Sequence, residues 1–372
     1  MAKPTQYDDA GLDYTDLQPR DYSPYFLISN PFPAIPVAEE EPRVMIDRES
    51  LIAKIGEVTK DCFLTGKSQT LTIQGIYGNG KSHILKYVRS KINAQLAKNP
   101  QDKAIAAYVQ SPGSSIRDLY SGIIEGLGRD LLEDLAYRII VGSVGAQRLA
   151  DYFFDKSQKE AFKKAISQIE KDPISLKRFF SRKSFYIKDV FKEVYQSESK
   201  GLLFPDMLLA LLSLTDDQIS ATAWRWILGE FLTKDEKNSI GIHQDISESD
   251  DVLKAFHSLK ALFRRKSLKM ICVLADELEK IAELHAFRKS RYYDDLRHLI
   301  DYNTEGLCLI FCVTPTGWSL IEQGGHPLVR RLAVNIEWLQ SFDEQQSRRL
   351  IEGYLSLGRE ELVQSKSVAA LE

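Results

Sequence analysis

The sequence predicts a three-layer α/β protein with a mainly parallel five-stranded sheet, interrupted by a large helical insertion and ending in a partial helical lid. Three observations carry this. A strand, a glycine-rich loop and a helix follow one another around residue 75; two apolar runs of strand length lie near residues 270 and 310; and nearly everything between is helical in pattern.

Residues 1–45 are rich in tyrosine and acids, and Pro19, Pro24, Pro31, Pro33, Pro36 and Pro42 exclude a long helix or central strand, so an extended arm that could drape over a neighbour is expected. The first part of the core spans 46–114. Its opening segment carries apolar residues at Leu51, Ile52, Ile55 and Val58, the spacing of an amphipathic helix. A strand follows at 69–74, then the glycine loop, a helix and a second strand at 104–109. Ser115 and Asp118 form a capping-box pattern that opens the helical insertion, 115–266. The second part of the core, 267–340, holds buried strands at 270–277 and 307–315 and a weaker one at 334–340. Ser341 and Asp343 can cap the helix of a lid at 341–367, and 368–372 read as a possible tag remnant.

With 372 residues, 44% of them hydrophobic, the chain can bury one large core or two smaller ones. It has no apolar run of transmembrane length and its first residues lack a signal-peptide pattern, so no membrane and a cytoplasmic location are expected. Cys62, Cys272, Cys308 and Cys312 are scattered, three of them in apolar runs, and predict neither disulfides nor zinc. A net charge of -3 excludes a globally basic protein. Any nucleic-acid contact must come from a local patch or an assembled ring.

Gly75-Ile-Tyr77-Gly78-Asn79-Gly80-Lys81-Ser82 satisfies GxxxxGK[ST], in which glycines let backbone N–H groups encircle phosphates. Lys81 is expected to reach the β- and γ-phosphates of ATP. The Ser82 hydroxyl would hold Mg²⁺, and the helix starting there, with His83 in its first turn, adds its positive dipole end. The apolar run Met270–Ala275 leads into Asp276 and Glu277. Asp276 suits the Mg²⁺ shell and Glu277 the polarising of an attacking water, while Glu279 reads as a helix-start residue. Thr314 ends the neighbouring strand and is a candidate sensor of the γ-phosphate, with a plain turn hydroxyl as the alternative. Arg330 and Arg331 are candidates for an arginine finger acting on a neighbouring subunit's ATP, or are surface arginines on a helix. Basic and aromatic residues interleave between Lys177 and Lys188, and Arg264–Lys266 and Arg288–Arg291 are further basic runs, each a candidate DNA contact or a solvated helix face.

Phosphate loop, acidic strand end, Thr314, Arg330/Arg331 and a lid-like helix, in this order, resemble an AAA+ ATPase of the origin-recognition (ORC/Cdc6-like) branch. Asp47-Arg48-Glu49 resembles the segment such proteins pack against adenine. The segments 224–230, 275–279, 292–301 and 314–318 are more specifically similar to the P-loop ATPases of bacterial phage-exclusion (BREX) clusters, where a long helical insertion also separates the two ATP motifs. The resemblance implies an ATPase working as a homo-oligomer on DNA or partner proteins in a defence or mobile-element system. A nucleotide-dependent switch with little turnover, and a regulator of transposition or plasmid maintenance, are the alternatives. The arm segment Asn30–Pro33 matches nothing diagnostic of that family, and residues 356–372 are expected to hold neither a full lid nor a winged-helix DNA-binding domain.

Overall fold

The computed structural model describes residues 21–32, 42, 44–98, 103–153, 155–180, 187–324 and 326–369. Five strands form one sheet: β1 (Gln69–Gln74), β2 (Lys103–Val109), β3 (Leu268–Ala275), β4 (Leu307–Val313) and β5 (Ile336–Trp338). Their order is β2-β3-β4-β1-β5, and every pairing is parallel. The chain therefore leaves β1, skips two places to lay down β2, and fills the gap only later. As a result the carboxyl ends of β1, β3 and β4 lie side by side, the end at which open α/β sheets bind ligands.

Strand limits differ from the sequence pattern for local reasons. β3 stops at Ala275 because Glu277 adopts φ +53°, a left-handed conformation that no strand continues through. β4 stops at Val313 because Pro315 begins the helix Pro315–Gly324. β5 is shorter than 334–340, being an edge strand paired only along Thr72↔Ile336 to Gln74↔Trp338.

Because side chains alternate along a strand, each strand feeds two layers. Ile105, Ala107 and Val109 of β2, Ile271, Val273 and Ala275 of β3, and Leu309, Phe311 and Val313 of β4 join the apolar core shared with the insertion. The intervening residues Ala106, Cys272, Leu274, Cys308, Ile310 and Cys312 are equally buried but lie outside that core. The helix Glu49–Thr65 touches β1, β3 and β4, and Lys81–Lys98 touches β2 and β3; buried Ile55, Cys62, Ile84 and Leu85 belong with this second layer. Cys62, Cys272 and Cys308 are free thiols.

The described part of 115–266 contains no named strand. Its first helix, Ile116–Leu127, lies on β2, and its last, Ser249–Arg265, on β3. Ser115 caps the first by accepting the Asp118 N–H. Between them the helices pack around large buried side chains such as Trp226, Phe204, Phe162 and Tyr137, and Trp226 donates Nε1–H to the Gln244 carbonyl at 3.0 Å.

The chain divides into two compact units. Described residues 48–341 belong to the larger, which holds the sheet, and 21–32, 44–47 and 342–369 to the smaller. In the smaller unit Asp343 caps the helix Glu344–Ala369 through the Gln346 N–H at 2.7 Å. Two glycines of that helix let the described arm residues approach: a Cβ on Gly353 would stand 3.0 Å from Val44 Cγ1, and one on Gly358 2.8 Å from Leu27 Cδ2. Phe32 and Tyr354 rings lie 5.7 Å apart, and Arg349 pairs with Asp47 at 2.7 Å. This part of the arm thus packs on its own chain's last helix. The remaining arm residues and 370–372 lie outside the described residues.

Gly126 sets how closely the helix Ile116–Leu127 approaches β2, since a Cβ there would lie 2.9 Å from the Tyr108 carbonyl and 3.0 Å from Ala107 Cβ. Gly126→Ala is expected to lower stability by about 1–3 kcal/mol, as overpacking against backbone does. A shift of the urea midpoint at unchanged slope is the measurement.

Candidate nucleotide site

β1 delivers the chain into the phosphate loop, where the Gly75 N–H bonds the Val313 carbonyl at 3.1 Å and a Cβ on Gly75 would press on Leu339 at 3.1 Å. Gly78 and Gly80 take φ of +82° and +87°, values open to glycine without steric cost. Lys81 is buried, and its ammonium donates to the carbonyls of Gly75 at 2.7 Å and Ile76 at 3.0 Å. These two carbonyls hold the cation at the mouth of the loop. Tyr77 is 75% exposed, with its ring centroid 5.3 Å from the Lys81 ammonium. His83 is half-buried in the first turn of the following helix.

The loop apex is braced by side chains distant in sequence. Asn79 donates Nδ2–H to the Leu339 carbonyl at 2.9 Å, and its Oδ1 accepts from the Ser341 hydroxyl at 3.1 Å, so Ser341 serves the loop here. Buried Arg48 donates to the Asn79 carbonyl at 3.3 Å and to the Gln340 carbonyl at 2.9 Å. One guanidinium thereby ties the residue before the first helix to both the loop and the chain after β5.

Across the sheet, the turn after β3 is pinned by Asp276 N–H to the Val109 carbonyl at 2.9 Å and by Leu278 N–H to the Cys312 carbonyl at 3.0 Å. Asp276 is 2% exposed, and its Oδ2 accepts a hydrogen bond from the Ser82 hydroxyl. Its Oδ1 accepts the Glu277 N–H at 2.9 Å, and the Tyr108 hydroxyl approaches Oδ2 at 3.4 Å. Burial raises the Asp276 carboxyl above the usual carboxylate range, opposed by the Ser82 and Glu277 hydrogen bonds and the Lys81 charge. The Glu277 carboxylate is met by the Lys280 ammonium, whose pKa it raises. Thr314 is buried; its hydroxyl accepts the Gly317 N–H at 3.1 Å and its own N–H bonds Glu279 Oε2 at 3.2 Å.

A family model for the BREX system ATP-binding protein BrxC/D matches residues 48–351. The chain belongs to this family. Membership gives ATP as the ligand and a multi-protein phage-defence system as the setting. The match starts at Arg48 and takes in both the phosphate loop and the acidic turn. No curated protein and no solved structure matches the chain. Among the described residues no helix is long and apolar enough to cross a membrane.

For a BREX family ATP-binding chain, the donor set suits a hard divalent cation. Ser82 and Asp276 offer oxygens in direct contact, and no group of three His, Cys, Asp or Glu side chains that could hold a metal occurs among the described residues. Mg²⁺ commonly takes one or two protein oxygens and completes its shell with phosphate and water.

The two candidate finger arginines differ in their surroundings. Arg331 is spent on Asp301, with Nε and Nη2 at 2.5 and 2.6 Å from its two carboxylate oxygens, and on the Pro327 carbonyl. Arg330 is exposed and has no hydrogen bond or ion pair among the described residues. Most of the basic runs are also engaged: Lys177 meets Glu133, Arg264 meets Glu305, Arg265 and Lys266 meet Glu198, and Arg291 meets Glu248. Phe179 and Phe180 are core residues, while 181–186 lie outside the described residues.

Sequence reading passed over Arg48 as a brace, Tyr108, Glu279 as a partner of Thr314, and Lys280. Only the Arg48 segment carried a signal, through its resemblance to an adenine-packing stretch. Arg48→Met should leave two carbonyls without their donor, lowering stability by about 1–3 kcal/mol. ATP affinity should also fall several-fold, because binding must then order the loop, and a nucleotide titration alongside a melting curve reads both. Wild-type affinity would show that the brace does not shape the loop.

Proposed function

We propose that the chain binds ATP with Mg²⁺ between the phosphate loop and the acidic turn and hydrolyses it in an oligomer, driving conformational change on DNA or a partner protein during phage exclusion. The observation that carries this reading is the contact of Ser82 with Asp276, which joins the two halves expected of a nucleotide site. The strand order, with β1 between β4 and β5, agrees with an AAA+ arrangement. In this reading Lys81 leaves the Gly75 and Ile76 carbonyls for the phosphates, and the loop N–H groups from Gly78 to Ser82 cradle them. Asp276 and Ser82 hold Mg²⁺, which when bound neutralises charge on the β- and γ-phosphates. Glu277 polarises water, Thr314 fixes the end of β4 beside the terminal phosphate, and Arg330 of one subunit faces the ATP of the next. The free state of Arg330 favours it over Arg331 as the finger.

A second reading, a switch that binds ATP and seldom turns over, draws on the Lys280 ammonium that occupies Glu277. Two variants separate the readings. Lys81→Ala is expected to lose measurable ATP binding with the fold intact, and Glu277→Gln to keep ATP while turnover falls by roughly two to four orders of magnitude. Steady-state phosphate release beside equilibrium binding measures this. A wild type that binds ATP without releasing phosphate favours the switch.

If Arg330 acts in trans, turnover per subunit rises with protein concentration, and Arg330→Ala lowers it by about a thousandfold or more at little cost in ATP affinity. Mixing Arg330→Ala with Lys81→Ala protein should restore part of the activity, since each supplies what the other lacks. Concentration-independent turnover with no rescue would mean a monomeric site.

A further inference from the structure

The acidic turn carries a third carboxylate with no part in the scheme above. Glu279 opens the four-residue helix Glu279–Ala282 and is 4% exposed. One oxygen, Oε2, accepts the Thr314 N–H. The other, Oε1, is shut off from solvent and has no hydrogen-bond partner among the described residues. A carboxylate serving only to start a short helix would face water, where its charge costs nothing to keep; burial with half its acceptor capacity unused is costly and is retained where a ligand completes the set.

The group is also held firmly. Backbone bonds from Asp276 to β2 and from Leu278 to β4 fix the turn on either side of Glu277. The helix Pro315–Gly324 presses on it so closely that a Cβ on Gly317 would stand 2.2 Å from Glu279 Cβ. Glu279 therefore cannot swing away to find a partner elsewhere. Its field reaches the phosphate loop, where the Tyr77 phenol is pushed above its ordinary pKa by the Glu279 charge first, then by burial, Glu283 and Glu277, with the smallest contribution from a long hydrogen-bonding approach to Glu279 itself.

We propose that Glu279 is a second water-holding acid of the site: Oε2 fixes Thr314 and the end of β4, and Oε1 accepts a hydrogen bond from the water that attacks the γ-phosphate. This rests on the hydrolytic reading above. In that step the water oxygen bonds to the γ-phosphorus while the bond to the bridging oxygen breaks, its electron pair leaving on ADP. One water proton passes to Glu277 and on to solvent, and Glu279 orients the water without taking a proton. Glu277, engaged by Lys280, then does not bear the positioning alone.

Glu279→Gln tests this, because the amide oxygen can still accept the Thr314 N–H while the free carboxylate oxygen is replaced by a donor. The expected result is kcat lower on the order of a hundredfold, ATP affinity within about twofold of wild type, and a melting temperature close to wild type because the Thr314 N–H keeps its acceptor. Turnover at the wild-type rate overturns the proposal, as does a lowered melting temperature with a matching loss of ATP binding, which marks a structural acid. A wild type that binds ATP but never hydrolyses it removes the hydrolytic reading and this one together, whereas active wild type and active Glu279→Gln remove this one alone.

Discussion

The hydrogen bond between Ser82 and Asp276 is the point on which the rest of the site depends, because it connects residues 194 positions apart through the carboxyl ends of two strands that are not themselves neighbours. β4 stands between β1 and β3, so the contact forms only when both parallel registers are kept: Gln74 lies opposite Val313, and Ala275 opposite Phe311. A slip in either pairing would move the hydroxyl and the carboxylate apart by at least one strand residue, about 3.3 Å. The glycines of the loop, the left-handed Glu277 and the brace from Arg48 all serve this alignment.

Three of the site's charged side chains have close polar partners within it. Lys81 rests on two carbonyls, Glu277 on Lys280, and Asp276 on a hydroxyl and an N–H. Burial raises the Asp276 carboxyl, and the Ser82 and Glu277 hydrogen bonds and the Lys81 charge oppose that rise.

Much of this was legible in the sequence, and the parts that were not share a cause. The strands β1 to β4 and the phosphate loop were readable because their signals are local: apolar runs, glycines at fixed spacing, a hydroxyl after a lysine. Helix caps at Ser115 and Asp343 were readable for the same reason. Arg48, Tyr108 and Glu279 were not, since what they do is set by partners more than thirty residues away, and a buried glutamate reads no differently from a solvated one at a helix start. Arg330 and Arg331 are adjacent and chemically identical; Asp301, thirty residues upstream, and the Pro327 carbonyl tell them apart. In the described part of the interleaved basic and aromatic stretch, Phe179 and Phe180 are turned into the core.

The placement of the helical stretch between β2 and β3 has a consequence for how the protein comes off the ribosome. Val109 must pair with Ala275, and β1, made early, takes as neighbours only β4 and β5, the last two strands synthesised. β2 has no strand to pair with until β3 emerges and β1 none until residues beyond 300 do, while the intervening helices can already collapse on one another through local contacts. The helical segment thus serves as an early-folding body that keeps company with unpaired strands, and the nucleotide site is among the last features to form.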